Sequence, residues 1–309
     1  MIFISIILLV VGFAMLVKGA DWFVDGAASL AARFGIPQLV IGLTIVAMGT
    51  SLPEAAVSIT AALKGNAGIT IGNVLGSNIL NVLIILGTTA VIIPVAIQKS
   101  TLLYEIPFMM VISGVFLAMG ITREAVTRLE GVMLGLFFIM YLVYLYFLSK
   151  RSKTAEAEEQ KKMSVWKCLL LIVAGGIMIV LGSDFAVNGA TELARMFGVS
   201  ERFIGLTIVA LGTSLPELVT SVTAAKKGNA DIAIGNIVGS NIFNILFVSG
   251  MSAIICDVPF VVSFRVDAVV AILSGMLLWL GCVRHKELRR SSGAVMLLAY
   301  GAYFVYLCQ

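Results

Sequence analysis

Residues 42–54, GLTIVAMGTSLPE, return as residues 205–217, GLTIVALGTSLPE, with 12 of 13 positions identical at an offset of 163. The same offset aligns GNAGITIGNVLGSNILN (65–81) with GNADIAIGNIVGSNIFN (228–244) at 12 of 17 positions, without a gap. Upstream, GADWFVDGA (19–27) aligns with GSDFAVNGA (182–190). A chain built this way must fold as two related units, here 1–149 and 166–309. The polar stretch joining them, 150–165, is too short for a domain and reads as a solvated loop.

Each repeated stretch sits in a long apolar run. Hydrophobic residues make up 60% of the chain and charged residues only 12%, against about 25% charged in a soluble domain. A helix needs about 20 apolar residues to cross a bilayer core. Ten runs qualify: 2–18, 38–63, 69–95, 102–121, 129–148, 165–187, 203–225, 232–255, 266–283 and 292–308. The first lacks a basic n-region and has a copy in mid-chain, so it is a span and not a signal peptide. The first and sixth are expected to continue as helix beyond their apolar parts.

Each unit holds five spans. An odd number makes the second copy enter from the opposite side, so the sequence predicts an all-α polytopic membrane protein of ten transmembrane helices in two inverted five-helix repeats. Inverted repeats are a transporter signature. With an outside N-terminus, fourteen Lys and Arg, among them Arg33, Lys150, Lys153 and Lys227, fall on the cytoplasmic side, against six opposite, including Lys64 and Arg202. The positive-inside rule favours that orientation, with both termini extracytoplasmic. Lys18, at the end of the first run, reads as a snorkelling side chain.

Other function classes find little support. Cys168, Cys256, Cys282 and Cys308 are scattered, with no C-x-x-C pair. The single histidine, His285, lies among Arg284, Lys286, Arg289 and Arg290. There is no nucleotide-binding loop and no Ser-His-Asp set, so an enzyme or pump is not indicated. The net charge of +4 reflects topology and does not point to nucleic acid.

The repeated polar residues fall near the centres of their runs. Ser51 and Ser214 centre two of them, and Asn81 and Asn244 lie near the centres of two more. Glu54 and Glu217 therefore sit near the bilayer midplane, where an acidic residue costs about 3 kcal/mol on insertion scales. No Lys or Arg occurs within 38–63 or 203–225, so each carboxylate is either protonated or partnered by a bound cation, and facing carboxylates raise one another's pKa. Pro53 cannot donate to the carbonyl of Gly49, which is expected to free carbonyls around Ala47–Thr50; Pro216 repeats this for Ala210–Thr213. Irregular backbone at that depth is tolerated only in protein or along a cavity. Carboxylates, carbonyls and hydroxyls suit hard cations such as Ca²⁺. Asn73, Ser77 and Asn81 share one helix face, as do Asn236, Ser240 and Asn244.

Blander readings exist for each feature. Ser51-Leu52-Pro53-Glu54 fits a helix capping box, although a cap does not explain a midplane charge. Gly72 and Gly76, with Gly235 and Gly239, form stripes that permit close packing. Ser77 and Asn81 could act as interhelical hydrogen-bond glue. Asp21, Asp25 and Asp184 lie near run ends and suit an interfacial or capping role.

The paired motifs GTSLPE with GNVLGSNILN, and GTSLPE with GNIVGSNIFN, resemble the two α-repeats of the cation/Ca²⁺ exchanger superfamily, and most nearly prokaryotic sodium/calcium exchangers. The likeness spans essentially the whole membrane region. It implies a long, slanted first and sixth helix pair that slides past a rigid core. By position it implies central calcium-binding carboxylates at Glu54 and Glu217. Ser51, Ser214, Ser77 and Ser240 match hydroxyl ligands of flanking sodium sites. Groups of Thr50 and Thr213 and the carbonyls of Ala47 and Ala210 match further cation ligands. Asn81 and Asn244 take the remaining central positions. K⁺-dependent relatives carry Asp where this chain has Asn244, which suits K⁺-independent exchange. A 16-residue joint cannot hold the calcium-sensing domains of animal exchangers.

The expectation is thus a multi-pass, inner-membrane Na⁺/Ca²⁺ antiporter working by alternating access, functional as a monomer, with Na⁺ and Ca²⁺ as transported substrates and no cofactor. The alternative is an H⁺/Ca²⁺ or other divalent-cation antiporter using the same carboxylates. A non-transporting channel or scaffold would not need inverted broken helices.

Overall fold

A computed structural model of the protein describes residues 2–151, 163–199 and 210–307. Apart from four two-residue strands, its regular structure is helical. In the first repeat, α1 (Ile2–Phe34) is followed by α2 (Gln38–Thr50) and α3 (Leu52–Leu63), then α4 (Gly68–Ile92), α5 (Thr101–Arg123) and α6 (Arg128–Arg151). In the second, α7 (Val165–Met196) precedes α8 (Ala210–Thr213), α9 (Leu215–Lys226), α10 (Ala230–Ile255), α11 (Ser263–Val283) and α12 (Arg290–Leu307).

Seven of these helices are long and apolar enough to cross a bilayer, and the bent pair α2–α3 makes an eighth. The seventh apolar run, 203–225, is described only from residue 210, so Arg202 and the start of the second GLTIVALGTSLPE lie outside the described residues, as do Lys153 and most of the 150–165 joint. The tenth run corresponds to α12, whose first turn carries the polar residues Arg290, Ser291 and Ser292. Both long helices extend well past their apolar parts: α1 has 33 residues and α7 has 32. At 1.5 Å per residue each is about 50 Å long, so it must tilt to fit a core of about 30 Å.

The two repeats are inverted, and the α1–α7 seam shows it directly. A Cβ on Gly12 would lie 2.7 Å from the carbonyl of Gly182, one on Gly19 2.8 Å from that of Gly175, and one on Gly26 2.8 Å from that of Cys168. Partner numbers fall as α1 is ascended, so the helices run antiparallel. Gly12 and Gly19 are the copies of Gly175 and Gly182 at the offset of 163, so exchanging the repeats maps the seam onto itself. The ribbons obey the same symmetry: β1 (Val95–Ala96) pairs with β4 (Glu287–Leu288), and β2 (Ala125–Val126) with β3 (Val258–Pro259).

At the centre lie α4 and α10, the most buried spans. Ile71, Leu75, Ile79, Ile234, Ile237 and Ile242 are fully covered there. The outer helices α6 and α12 expose Leu129, Leu136, Ile139 and Leu298, as lipid-facing surfaces do when every backbone group is satisfied within its own helix. A widened π-turn interrupts several spans: Gly42–Val46 in α2, Asn81–Leu86 in α4 and Asn244–Ser249 in α10. Such turns leave backbone groups displaced from the regular ladder and occur frequently at functional sites.

Candidate functional site

Pro53 and Pro216 each sit in the first turn of the second half of a broken span. In the first repeat the break falls at Ser51 (φ −85°, ψ 11°), and α2 and α3 meet at 51°. Ser214 repeats those angles (φ −93°, ψ 3°) between α8 and α9. Glu54 and Glu217 follow in the first turn of α3 and α9, where the helix dipole favours a negative group. Both glutamates are buried.

The capping-box reading fails. Neither Ser51 nor Ser214 makes a side-chain cap hydrogen bond. The Ser51 hydroxyl instead donates across the repeat boundary to Glu217 Oε1 at 2.8 Å. On the mirrored side, Thr213 and Ser214 neighbour the Glu54 carboxylate. Thr50 Oγ1 lies 3.0 Å from Asn236 Oδ1.

The carbonyl expectation needs correction. Ala47 O is not released by Pro53: it accepts from the Ser51 amide at 3.1 Å and from the Ser240 hydroxyl at 3.3 Å. The carbonyl deprived of its donor by Pro216 is that of Gly212, and the Ser183 hydroxyl of α7 donates to it at 2.6 Å. Ser183 aligns with Ala20, so Gly49 has no hydroxyl at the equivalent place in α1. Ala210 stands at the start of the described part of α8.

Asn73 donates to Glu54 O at 3.1 Å and to Ser58 Oγ at 2.8 Å. Asn236 does the same for Glu217 O at 3.4 Å and Ser221 Oγ at 2.9 Å. These amides tie each half-helix start to the neighbouring core helix, a role the shared helix face implied only in outline. Ser77 and Ser240 are buried on that face, with Asn81 and Asn244 at its end.

Several buried oxygens without a hydrogen-bond partner among the described residues belong to the repeated motifs, while others, such as those of Thr101 and Tyr141, lie elsewhere. The former include Glu54 Oε1 and Oε2, Glu217 Oε2, Ser214 Oγ, Asn81 Oδ1 and Asn244 Oδ1. The π-turns beginning at Asn81 and Asn244 pack against α9 and α3, the helices that carry the glutamates. A buried polar atom left unpaired costs about 1–3 kcal/mol, and more if charged. No Lys, Arg or His pairs with either glutamate among the described residues. Hard oxygens, two carboxylates and no protein cation make a site whose charge is balanced either by protons on the carboxylates or by a small cation.

At the rim, Lys227 pairs with Asp25 Oδ1 at 2.7 Å and Asp21 Oδ1 at 2.5 Å, and Lys18 pairs with Asp21 at 3.2 Å. Asp21 and Asp25 thus bind a core helix terminus to α1. Burial alone would lower the Lys227 pKa, but the two aspartates outweigh it and leave the ammonium raised above its ordinary value. A cavity of about 740 Å³ opens beside this cluster, lined by Lys18, Asp21, Leu218 and Thr223 among others. The copies of Lys18 and Asp25 are Leu181 and Asn188, so the second repeat cannot build the same cluster.

A Cβ on Gly235 or Gly239 would lie 3.0 Å from Leu39 O or 2.8 Å from Leu43 Cα, so the close packing expected of that stripe is present. Among the described residues Gly72 meets the ring of Phe264, at 3.5 Å, while the copies of Leu39 and Leu43, at 202 and 206, lie outside them.

The sodium/calcium exchanger protein family matches residues 4–147 and 167–309. The chain is 38% identical to the putative antiporter CaxA of Alkalimonas amylolytica, covering 97% of each chain. It is 32% identical to the sodium/calcium exchanger MaX1 of Methanosarcina acetivorans, covering 99% of each. Among solved structures it superimposes on the sodium-calcium exchanger NCX_Mj, soaked with zero Na⁺ and Ca²⁺, with a TM-score of 0.87 at 31% identity, covering 99% of this chain and 100% of that one.

Proposed function

The chain belongs to the sodium/calcium exchanger family, and from that premise we propose that it exchanges Na⁺ for Ca²⁺ across a prokaryotic-type inner membrane. It is a multi-pass cation/Ca²⁺ antiporter and not an enzyme. The observation that carries the finer reading is the buried pair Glu54 and Glu217, with unpartnered oxygens of Asn81, Asn244 and Ser214 beside them and no protein cation among the described residues.

Ca²⁺ between the two carboxylates makes the centre about neutral. Na⁺ ions replace it using the carboxylates with Ser51, Ser214, Ser77, Ser240, Thr50, Thr213 and backbone carbonyls of the breaks. Either load removes most of the Born penalty of carrying the site through a low-dielectric interior. The doubly charged empty site resists reorientation, which couples the two ions and suppresses leak. Inverted repeats supply the two states, because each repeat can adopt the conformation of the other. One copy is sufficient for this cycle, since both carboxylates lie on the same chain. The N- and C-termini face away from the cytoplasm in the orientation set by the basic loops.

The test is Ca²⁺ uptake into proteoliposomes under an imposed Na⁺ gradient. Glu54→Gln and Glu217→Gln should each abolish it. Near-normal uptake by either variant would refute the two-carboxylate site. Uptake by the wild-type protein that follows a pH gradient and ignores Na⁺ would place H⁺ in the coupling role.

A further inference from the structure

Asn78 and Asn241 were not singled out by sequence, yet they form a closed hydrogen-bonded ring where α4 crosses α10. Asn78 Nδ2 donates to the backbone carbonyl of Asn241 at 3.2 Å, and Asn241 Nδ2 donates to that of Asn78 at 3.1 Å. Asn244 Nδ2 then donates to Asn78 Oδ1 at 3.2 Å, and Asn81 Nδ2 to Asn241 Oδ1 at 3.0 Å. Asn78 and Asn241 are both 2% exposed, so water cannot stand in for any of these partners.

The nitrogen and oxygen ends of an amide must be assigned from the groups they face. Here the assignment has a fixed starting point. A backbone carbonyl only accepts, so the NH₂ of Asn78 must face Asn241 O. That turns Asn78 Oδ1 toward Asn244, which must answer with its own NH₂. Asn244 Oδ1 is left on the far side, buried and unpartnered, as is Asn81 Oδ1 by the same sequence of constraints. Flipping any one amide sets two oxygens or two NH₂ groups against each other.

We propose that Asn78 and Asn241 are positioning residues for cation transport: each holds the amide of Asn244 or Asn81 so that it presents its oxygen to the transported cation. This rests on the reading of Glu54 and Glu217 as the cation site. The ring also makes the residue type at 244 and 81 matter. A carboxylate at 244 would face Asn78 Oδ1 with an oxygen, so it is disfavoured while Asn78 is present. A carboxylate also needs no orienting, because both of its ends are ligands.

A double-mutant cycle separates positioning from mere structural support. Calorimetric Ca²⁺ binding to the purified protein and Na⁺-driven Ca²⁺ flux would be measured for wild type, Asn78→Ala, Asn244→Asp and the double variant. Releasing one amide should weaken Ca²⁺ binding about tenfold in Asn78→Ala, the order expected for one lost charge-linked hydrogen bond. In the Asn244→Asp background the same Asn78→Ala change should cost nothing or tighten binding, because an oxygen–oxygen contact is removed. An equal loss in both backgrounds would overturn the proposal, since the added charge shifts both variants that carry Asn244→Asp alike. Asn241→Ala with Asn81→Asp forms the symmetric cycle and serves if the first variant fails to fold. Glu54→Gln is run beside them. If it still binds Ca²⁺, the carboxylate site itself is wrong; if it does not and the cycle shows no coupling, only the positioning role is wrong.

Discussion

Gly19→Ala adds one methyl group to the α1–α7 seam and should be felt throughout it. The new Cβ would lie 2.8 Å from Gly175 O, 2.9 Å from Met178 Cβ and 3.0 Å from Ile179 N, where ordinary contact begins at 3.4 Å. The shortfall against the carbonyl, 3.4 − 2.8, is about 0.6 Å, and two of the three neighbours are backbone that cannot rotate away. Relief requires the two long helices to part, and a gap of that size forfeits a quarter to a half of each contact's dispersion well. Overpacking of this kind costs about 1–3 kcal/mol, offset by about 1 kcal/mol from the better helix propensity of Ala over Gly. The net is a destabilisation of up to about 2 kcal/mol. Thermal unfolding in detergent, followed by tryptophan fluorescence, should show a midpoint several degrees below wild type. Gly301→Ala supplies the control, since Gly301 is exposed on α12 with no described atom within 4 Å of its added Cβ. It should melt at or slightly above wild type. A Gly19→Ala protein that melts with the control would refute the close-approach account of the seam.

Three further outcomes follow from particular contacts. Tyr144→Phe removes the hydroxyl that donates to buried Glu105, leaving a carboxylate unpartnered at a cost of about 1–3 kcal/mol; Tyr303→Phe, which frees the partly exposed Asp267, should cost less in the same unfolding assay. Lys227→Met unties Asp21 and Asp25 from the core and should change the Ca²⁺ half-saturation measured from one face of oriented vesicles more than from the other, whereas Lys64→Met, its copy without an ion pair among the described residues, should leave both faces unchanged. Ser51→Ala deletes the donor to Glu217 and should raise the half-saturating Na⁺ concentration in flux assays by about tenfold, the size of one hydrogen bond to a charged group.

The fold was legible because membrane physics leaves few options. Ten apolar runs, a gapless duplication and an odd span count per copy lead to inverted repeats, and the falling partner numbers along the α1–α7 seam bear out the inversion. Glu54 and Glu217 stood out because a carboxylate between Pro and an apolar run has few innocent explanations at that depth. The sequence was less informative about direction and contact. Ser51 in a Ser-x-x-Glu pattern looks like a cap, and only the structure shows its hydroxyl leaving its own helix for the other repeat. Ala47 O keeps the Ser51 amide, and the Gly212 carbonyl that Pro216 frees is met by a hydroxyl 29 residues away, Ser183, a meeting that nothing local encodes. Asn78 escaped notice because it lies off the four-residue step of Asn73, Ser77 and Asn81; its presence in both copies of GSN was the available signal. The Lys227 cluster was similarly divided between an interfacial reading of Asp21 and a topology reading of Lys227.

The most direct test of the central claim is ⁴⁵Ca²⁺ uptake into proteoliposomes loaded with Na⁺ and diluted into Na⁺-free buffer at equal pH on both sides. The account predicts uptake that appears only with the outward Na⁺ gradient, collapses when a Na⁺ ionophore dissipates it, and is absent in Glu54→Gln. Uptake that persists after the Na⁺ gradient is dissipated, or that survives Glu54→Gln, would contradict it.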